Sequence, residues 1–283
     1  MSINTYQLFK DVGFSESRIT KMLPRIKSQS YATDQVVWFK GDDHQPFTYI
    51  FRGLVCASKP CGGNVLNPVS VFGEGAWFGE AVFIDRQPQL SGLNYICLAP
   101  TRLISIPFDE ALEAFEQEAE FARYIARLTN WRGQRHSEML MLMRTGSAAL
   151  RVVMGLAMLT EAMIDNSSHL PKQLLEDHLE IPLKQSLVSS LCGVSRGVLS
   201  HCLQQLTASG WLQVNYGTIE IRLVKSWLVF LAAQRQNSQN ITKPSMHDLL
   251  ELMQIASTTA CQVAKPDCKM IEDEGQCQPI GIS

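Results

Sequence analysis

The 283-residue chain has 25 Lys and Arg against 27 Asp and Glu, a formal net charge of −2, so as a whole it is no basic magnet for nucleic acid; any DNA affinity must come from a local surface. Its hydrophobic content of 46% supports real cores, and its length allows about two ordinary domains. Met1–Lys10 is polar, Arg151 and Glu161 bound the best apolar stretch, too short to span a bilayer, and the eight cysteines show no regular pairing. The expectation is a cytoplasmic protein with reduced thiols and no membrane partner.

Residues 1–30 read as a helical lead-in, with Phe9, Val12, Phe14, Ile19, Met22, Leu23 and Ile26 as candidate buried positions. From Tyr31 to Pro107 the pattern turns to short β runs: Gln35–Phe39, Thr48–Phe51, Leu54–Ala57, Val65–Val71, Leu93–Leu98 and Leu103–Ile106. Turn residues separate them, among them Arg52-Gly53, Gly62-Gly63-Asn64 and Gly73-Glu74-Gly75, which predicts an antiparallel barrel or sandwich. Phe108–Arg144 reads as one long helix. Asp109, Glu110 and Glu113 sit at its start, where negative charge complements the macrodipole. Its seam of Leu112, Phe115, Ala119, Ala122, Ile125 and Leu128, ending in Met139–Met143, predicts a partner helix in a dimer; the alternative is packing on the chain's own barrel. The acids from Glu110 to Glu120 read as a solvated face, and Gly146 as a hinge. Ser147–Ile164 is a further apolar helix, and Asp165–Lys172 a linker. After Ile221, Ser226–Ala233 is a short helix, Gln234–Thr242 is linker-like, Met246–Ile255 is an amphipathic helix, and Ser257–Ser283 carries no predicted structure.

The stretch Ile181–Gly217 organises the rest. Leu183, Leu187, Val188 and Leu191 recur at three- and four-residue spacing after Pro182. Gly193 supplies the sharp turn, and Ser195 an N-cap. Val198, Leu199, Cys202, Leu203 and Leu206 form a second apolar face, with Arg196, Gly197, Ser200, His201, Gln204 and Gln205 largely opposite. Gly210 ends that helix. Trp211–Val214 and Thr218–Ile221 alternate apolar and polar around Asn215-Tyr216-Gly217, a wing. This is the grammar of a winged helix-turn-helix, which presents one helix to a DNA major groove. From Ile181 to Ile219 there is no Asp or Glu, and Lys184 and Arg196 are the certain cations.

Four motifs in order resemble the CRP/FNR family of bacterial transcription regulators over roughly residues 18–235. They are Phe39-Lys40-Gly41-Asp42, Tyr49-Ile50-Phe51-Arg52-Gly53, Gly73-Glu74-Gly75-Ala76-Trp77-Phe78-Gly79-Glu80, and Leu191-Cys192-Gly193-Val194-Ser195-Arg196. The resemblance implies an α+β chain with an N-terminal cyclic-nucleotide-binding-like antiparallel β-barrel of jelly-roll type, a long dimerisation helix and a C-terminal winged helix-turn-helix. The corresponding units are residues 1–107, 108–145 and 146–235, followed by a partly disordered, cysteine-containing extension, 236–283. It implies a homodimer on double-stranded DNA that recruits or blocks RNA polymerase. Lys184, Ser195, Arg196, Gly197, Ser200, His201 and Gln204 are the DNA-contact candidates. Members often carry Arg-Glu at the start of this helix and an Arg one turn on; Arg196 keeps the first and could pair with a guanine edge, whereas Gly197 and His201 stand in place of the Glu and the second Arg, which predicts a different target sequence.

In members that bind cyclic nucleotides, Phe-Gly-Glu leads to an Arg-Ser or Arg-Thr pair. By that match Gly79 and Ser91 would offer donors to a phosphate and Glu80 would take a ribose hydroxyl. The Arg position, however, holds Leu90, and a buried phosphate without its cation is expensive. Arg86 falls in the intervening turn as a surface charge. The expectation is a regulator not controlled by cyclic AMP, with an unknown small-molecule effector or none, and no cofactor.

The iron–sulfur cysteines of FNR-type members have no counterpart, since the first cysteine is Cys56. Cys56, Cys61, Cys97, Cys192 and Cys202 read as core or turn residues. Cys261, Cys268 and Cys277 fit no standard metal spacing and read as exposed tail thiols, with a redox or metal switch as the alternative. His44, His136, His169 and His178 are scattered, and no catalytic motif is present, so no enzyme is expected. The competing class is a sensor or interaction protein whose winged helix binds a protein partner.

Overall fold

The computed structural model describes residues 5–38, 45–60, 66–81, 83, 93–165, 177–236 and 243–263. Helices α1 (Thr5–Asp11) and α2 (Glu16–Met22) and a 3-10 turn at Leu23–Arg25 lead, among the described residues, into eight strands. These are β1 (Lys27–Tyr31), β2 (Val36–Trp38), β3 (Phe47–Arg52), β4 (Val55–Pro60), β5 (Leu66–Phe72), β6 (Trp77–Phe78), β7 (Asn94–Cys97) and β8 (Thr101–Ile106). They pair antiparallel in two four-stranded sheets, ordered β1-β8-β3-β6 and β2-β7-β4-β5.

The first sheet is covered on both faces, and the two-residue period of a strand sorts its side chains. Ile50, Phe78 and Leu103 point between the sheets, beside Trp38, Phe72 and Tyr95. Phe47, Tyr49, Ile104 and Ile106 point the other way, onto Phe9, Phe14 and Ile19 of the lead-in and onto Phe121 and Ile125. Strands β1 and β6 escape the hydrophobic pattern because β1 is mostly exposed and β6 is two residues long.

The sequence pattern predicts one helix over Phe108–Arg144; the structure has two, α3 (Phe108–Gln117) and α4 (Ala119–Thr145), broken at Glu118. Glu118 leaves helical geometry at φ −113°, ψ 103°. Its carboxylate accepts from the Ser15 N–H at 2.9 Å, from the Ser15 hydroxyl at 2.8 Å and from Arg18 Nε at 2.7 Å. The break thus ties the helix junction to the start of α2. Nor is the acidic run a solvated face throughout. Glu110 is buried and meets Arg25 at 2.5 Å and Arg18 at 3.7 Å, while Glu113 meets Arg18 at 3.1 Å. The expected dimer seam changes as well: Leu112, Phe115, Ile125 and Leu128 are spent on the chain's own core, and Ala119 is exposed. On α4 the uncovered large apolar side chains among the described residues are Leu140, Met141 and Met143.

After Gly146 and Ser147 the chain continues as α5 (Ala148–Asp165), β9 (His178–Ile181), α6 (Gln185–Leu191), α7 (Arg196–Ala208), β10 (Leu212–Asn215), β11 (Thr218–Arg222), α8 (Val224–Gln236) and α9 (Met246–Val263). The small C-terminal sheet has three strands, not the two expected for a wing, because β11 also pairs with β9, in the order β10-β11-β9. Its HLEI sequence is too short and too polar to stand out. Helix α9 runs past the predicted Ile255 to Val263, so the segment from Ser257 has structure for seven residues at least. It buries Leu249, Met253, Ala256 and Ala260. One core spans both halves of the molecule: Leu54 of the β3–β4 turn, with Cys56 and Val71 of the sheets, joins Val152, Val153 and Leu156 of α5 and Leu187 and Val188 of α6.

Candidate functional site

The turn between α6 and α7 is built by three backbone facts. Gly193 sits at φ +60°, where a side chain is strained, and its N–H donates to Ser190 O at 3.1 Å. Val194 N–H donates to Ser189 O at 3.0 Å, closing the end of α6. Ser195 is extended at φ −69°, ψ 156°, and its Oγ accepts from Val198 N–H at 3.3 Å, which starts α7 as an N-cap should. Helix α6 begins at Gln185, three residues after Pro182, with Lys184 as the extended residue before it.

Leu199, Cys202, Leu203 and Leu206 bury one side of α7. The other side displays Arg196, Gly197, His201 and Gln204 exposed, with Ser200 half-buried. Their spacing puts them on one helical face. A Cβ added at Gly197 would meet nothing within 4 Å, so this part of the face is open. His201 Nε2 lies 3.2 Å from Gln205 Nε2. Lys184 and Ser195 are exposed at the two helix starts. The small sheet is pinned to the helices by Trp211 and Trp227, which meet edge to face at 6.2 Å, and by Trp227 Nε1 donating to Arg222 O at 3.0 Å. Tyr216, in the turn between β10 and β11, is fully exposed. Glu220, the first acid after the acid-free segment, is held by His178 at 3.2 Å and Arg222 at 3.4 Å.

The second candidate site lies between the sheets and α4. Gly79 adopts φ +101°, and a Cβ there would fall 2.7 Å from Pro46 O and 2.9 Å from the Trp38 ring. Glu80 is buried, and Arg132 of α4 donates to its carboxylate and to Trp77 O. The Arg132 guanidinium also lies over the Phe72 ring, 4.8 Å from its centroid. Trp38, Phe78 and Tyr95 pack mutually at 4.8–5.1 Å, and burial pushes the Tyr95 phenol up. One turn along α4, His136 Nε2 lies 2.8 Å from Ser70 Oγ, and burial lowers its pKa below the usual imidazole value. Arg132 is the residue that sequence reasoning missed as the partner of Glu80. A Glu beside apolar neighbours in the Trp77-Phe78-Gly79-Glu80 motif calls for a partner, but nothing in the chain order says that it comes from 52 residues later. Ser91, Leu90 and Arg86 lie outside the described residues, as do Phe39-Lys40-Gly41-Asp42, Cys61, Cys268, Cys277, His44 and His169.

Open space lies elsewhere. A groove of about 670 Å3 runs between β1 and α3, with Lys27, Tyr31, Trp38 and Ser105 on one side and Asp109 and Glu113 on the other. Those two carboxylates already face Arg25 at 2.7 Å and Arg18 at 3.1 Å. Among the described residues no group of three His, Cys, Asp or Glu could hold a metal ion, and no helix is long and apolar enough to cross a membrane. Cys56, Cys97, Cys192 and Cys202 are buried free thiols; burial pushes Cys56 and Cys192 up to about 12. Cys261 is exposed.

No family model and no curated protein matches the chain. Solved structures do. FixK2 from Bradyrhizobium japonicum aligns at 15% identity with a TM-score of 0.55, over 78% of this chain and 98% of that one. TTHA1359, a CRP/FNR family transcriptional regulator from Thermus thermophilus, aligns at 15% and 0.51, over 76% and 100%. The c-di-GMP responsive global regulator CLP of Xanthomonas campestris aligns at 16% and 0.51, over 74% and 99%. N-terminal sheets, long helices and a C-terminal helical unit with a small sheet give this chain the fold of the CRP/FNR-type regulators.

Proposed function

We propose that the chain is a sequence-specific DNA-binding transcription regulator of CRP/FNR type, acting as a homodimer and not controlled by cyclic AMP. The observation that carries this reading is the outward face of α7. Arg196, Gly197, His201 and Gln204 stand exposed on a helix capped at Ser195, beside a wing and within an acid-free segment. In this reading α7 enters the major groove. Arg196 reads a guanine edge, His201 and Gln204 reach neighbouring bases, and Lys184, Ser195 and Ser200 hold phosphates. Gly197 lets the helix approach closely.

The exposed Leu140, Met141 and Met143 on α4 are the surface a second copy would cover, and two-fold symmetry would set two copies of α7 on two half-sites. Bound at a promoter, the dimer recruits or blocks RNA polymerase. The two-sheet unit is read as a barrel of the cyclic-nucleotide-binding type whose Glu80 is already committed to Arg132. An effector that used Glu80 would first have to displace that guanidinium. The buried free thiols fit a reducing compartment such as the cytoplasm.

Electrophoretic mobility shift with a pool of genomic fragments tests the reading. The expected result is a specific shift that weakens as salt rises and is weakened in Arg196→Ala. Absence of any specific shift at moderate salt would remove it, and pull-down of a protein by the same α7 face would favour a protein-binding winged helix.

A further inference from the structure

Helices α4 and α5 meet at a joint of two residues, Gly146 and Ser147, where nothing helical fixes the angle between them. Away from that joint, four charges cross-link three helices. Arg235, in the last turn of α8, donates from Nε and Nη2 to Glu138 of α4 at 3.1 and 2.9 Å. The same guanidinium grips Glu161 of α5 with two parallel bonds, Nη1 to Oε1 at 2.6 Å and Nη2 to Oε2 at 2.9 Å. Arg135 of α4 donates to Glu161 as well, and its guanidinium stacks on Trp131 at 3.8 Å. Arg135 lies about 16 Å up α4 from the joint and Glu161 about 21 Å along α5. Two rods hinged at one end and tied at a distance form a triangle, and a triangle has one angle.

The same turns of α4 are anchored on the other side. Arg132 holds Glu80 and Trp77 O, and His136 faces Ser70. Residues 131–138 therefore hold the two-sheet unit with one set of side chains and the winged unit with another. A partly buried ion group of this kind is a poor choice for stability alone, since well-packed apolar residues would do as well. Its bidentate geometry is a good choice for orientation. The joint carries one further tie: Ser147 Oγ donates to Pro244 O at 2.8 Å, just before α9.

We propose that Arg235, with Glu138, Arg135 and Glu161, is a positioning cluster that fixes the angle at which the winged unit leaves the long helix, and through it the half-site spacing the dimer accepts. The half-site spacing rests on the DNA-binding reading; the angle does not.

The test uses the full-length chain and the variants Arg235→Gln and Glu138→Gln, the second removing one arm of the cluster should the first fold poorly. A library of two half-sites at graded separations is selected by wild type and variant. Wild type should enrich one separation. The variant should lose about tenfold of its preference over separations one base pair away while its affinity for a single half-site is kept. An unchanged spacing profile, or a uniform loss with the profile intact, overturns the proposal. Amide hydrogen exchange provides an arm independent of DNA. Residues 145–153 and 231–236 should exchange about tenfold faster in the variant, with the sheets unchanged. Equal exchange in variant and wild type also overturns it. Should wild type select no DNA, the DNA-binding reading fails, and the exchange arm alone decides the strut.

Discussion

Around Glu80 the charged groups are bonded within the chain: Arg132 holds the carboxylate and a backbone carbonyl, stacks on Phe72, and has His136 bonded to Ser70 beside it. Along the outer face of α7 the order is reversed. Among the described residues Arg196 and Gln204 form no side-chain bond, and Gly197 faces open space. The two regions share a sequence style, a glycine beside a charged residue, yet one is closed on itself and the other is open to solvent. A buried charge must be answered inside the chain, because burial without a partner is costly, whereas an exposed one is answered by water until something better docks.

The largest effect should come from breaking the closed region. Both side chains of the Arg132–Glu80 pair are mostly buried, 13% and 11% exposed. Arg132→Met should destabilise the chain by about 3 kcal/mol, because it strands the Glu80 carboxylate. Urea unfolding measures this, and adding Glu80→Gln should restore part of the loss. No destabilisation would mean that the pair does not hold in solution. In the open region Arg196→Ala should leave the unfolding midpoint unchanged and cost about 1–3 kcal/mol of specific DNA binding, with relaxed preference at one base. A smaller effect is expected one residue earlier. Ser195→Ala removes the cap on Val198 N–H and should cost about 1 kcal/mol of stability.

The mildest probe leaves the sequence untouched. Thiolate formation at Cys56 and Cys192 is pushed up to about 12, so at pH 8 both should resist iodoacetamide in the native state. Exposed Cys261 should react, as peptide mass mapping would show. Labelling of Cys192 in the folded chain would mean that the core between α5 and α7 opens.

Much of the architecture was legible in the sequence because it rests on local chemistry. Gly193 at positive φ, the Ser195 cap and the apolar spacing of Leu199, Cys202, Leu203 and Leu206 are each decided within a few residues. The features that were not legible are decided at long range. Glu118 breaks a helix that composition alone would continue, because Ser15 and Arg18 claim its carboxylate. Leu112, Phe115 and Ile125 have the periodicity of a dimer seam, yet pack on lead-in helices a hundred residues away. Strand β9 forms because β11 has a free edge to pair, not because its own four residues favour it. The same limit applies to the candidate sites. The outward residues of α7 follow from helical period, whereas the Arg132–Glu80 pair and the Arg235 cluster join elements that sequence order keeps apart.

The proposed reading of DNA by the open face of α7 is decided by selection of genomic fragments with the full-length chain, repeated with Arg196→Ala. Wild type should enrich a two-fold symmetric sequence, with the symmetry-related positions under Arg196 losing their preference in the variant. Enrichment of no sequence at moderate salt, or the same sequence enriched equally by both proteins, would contradict it.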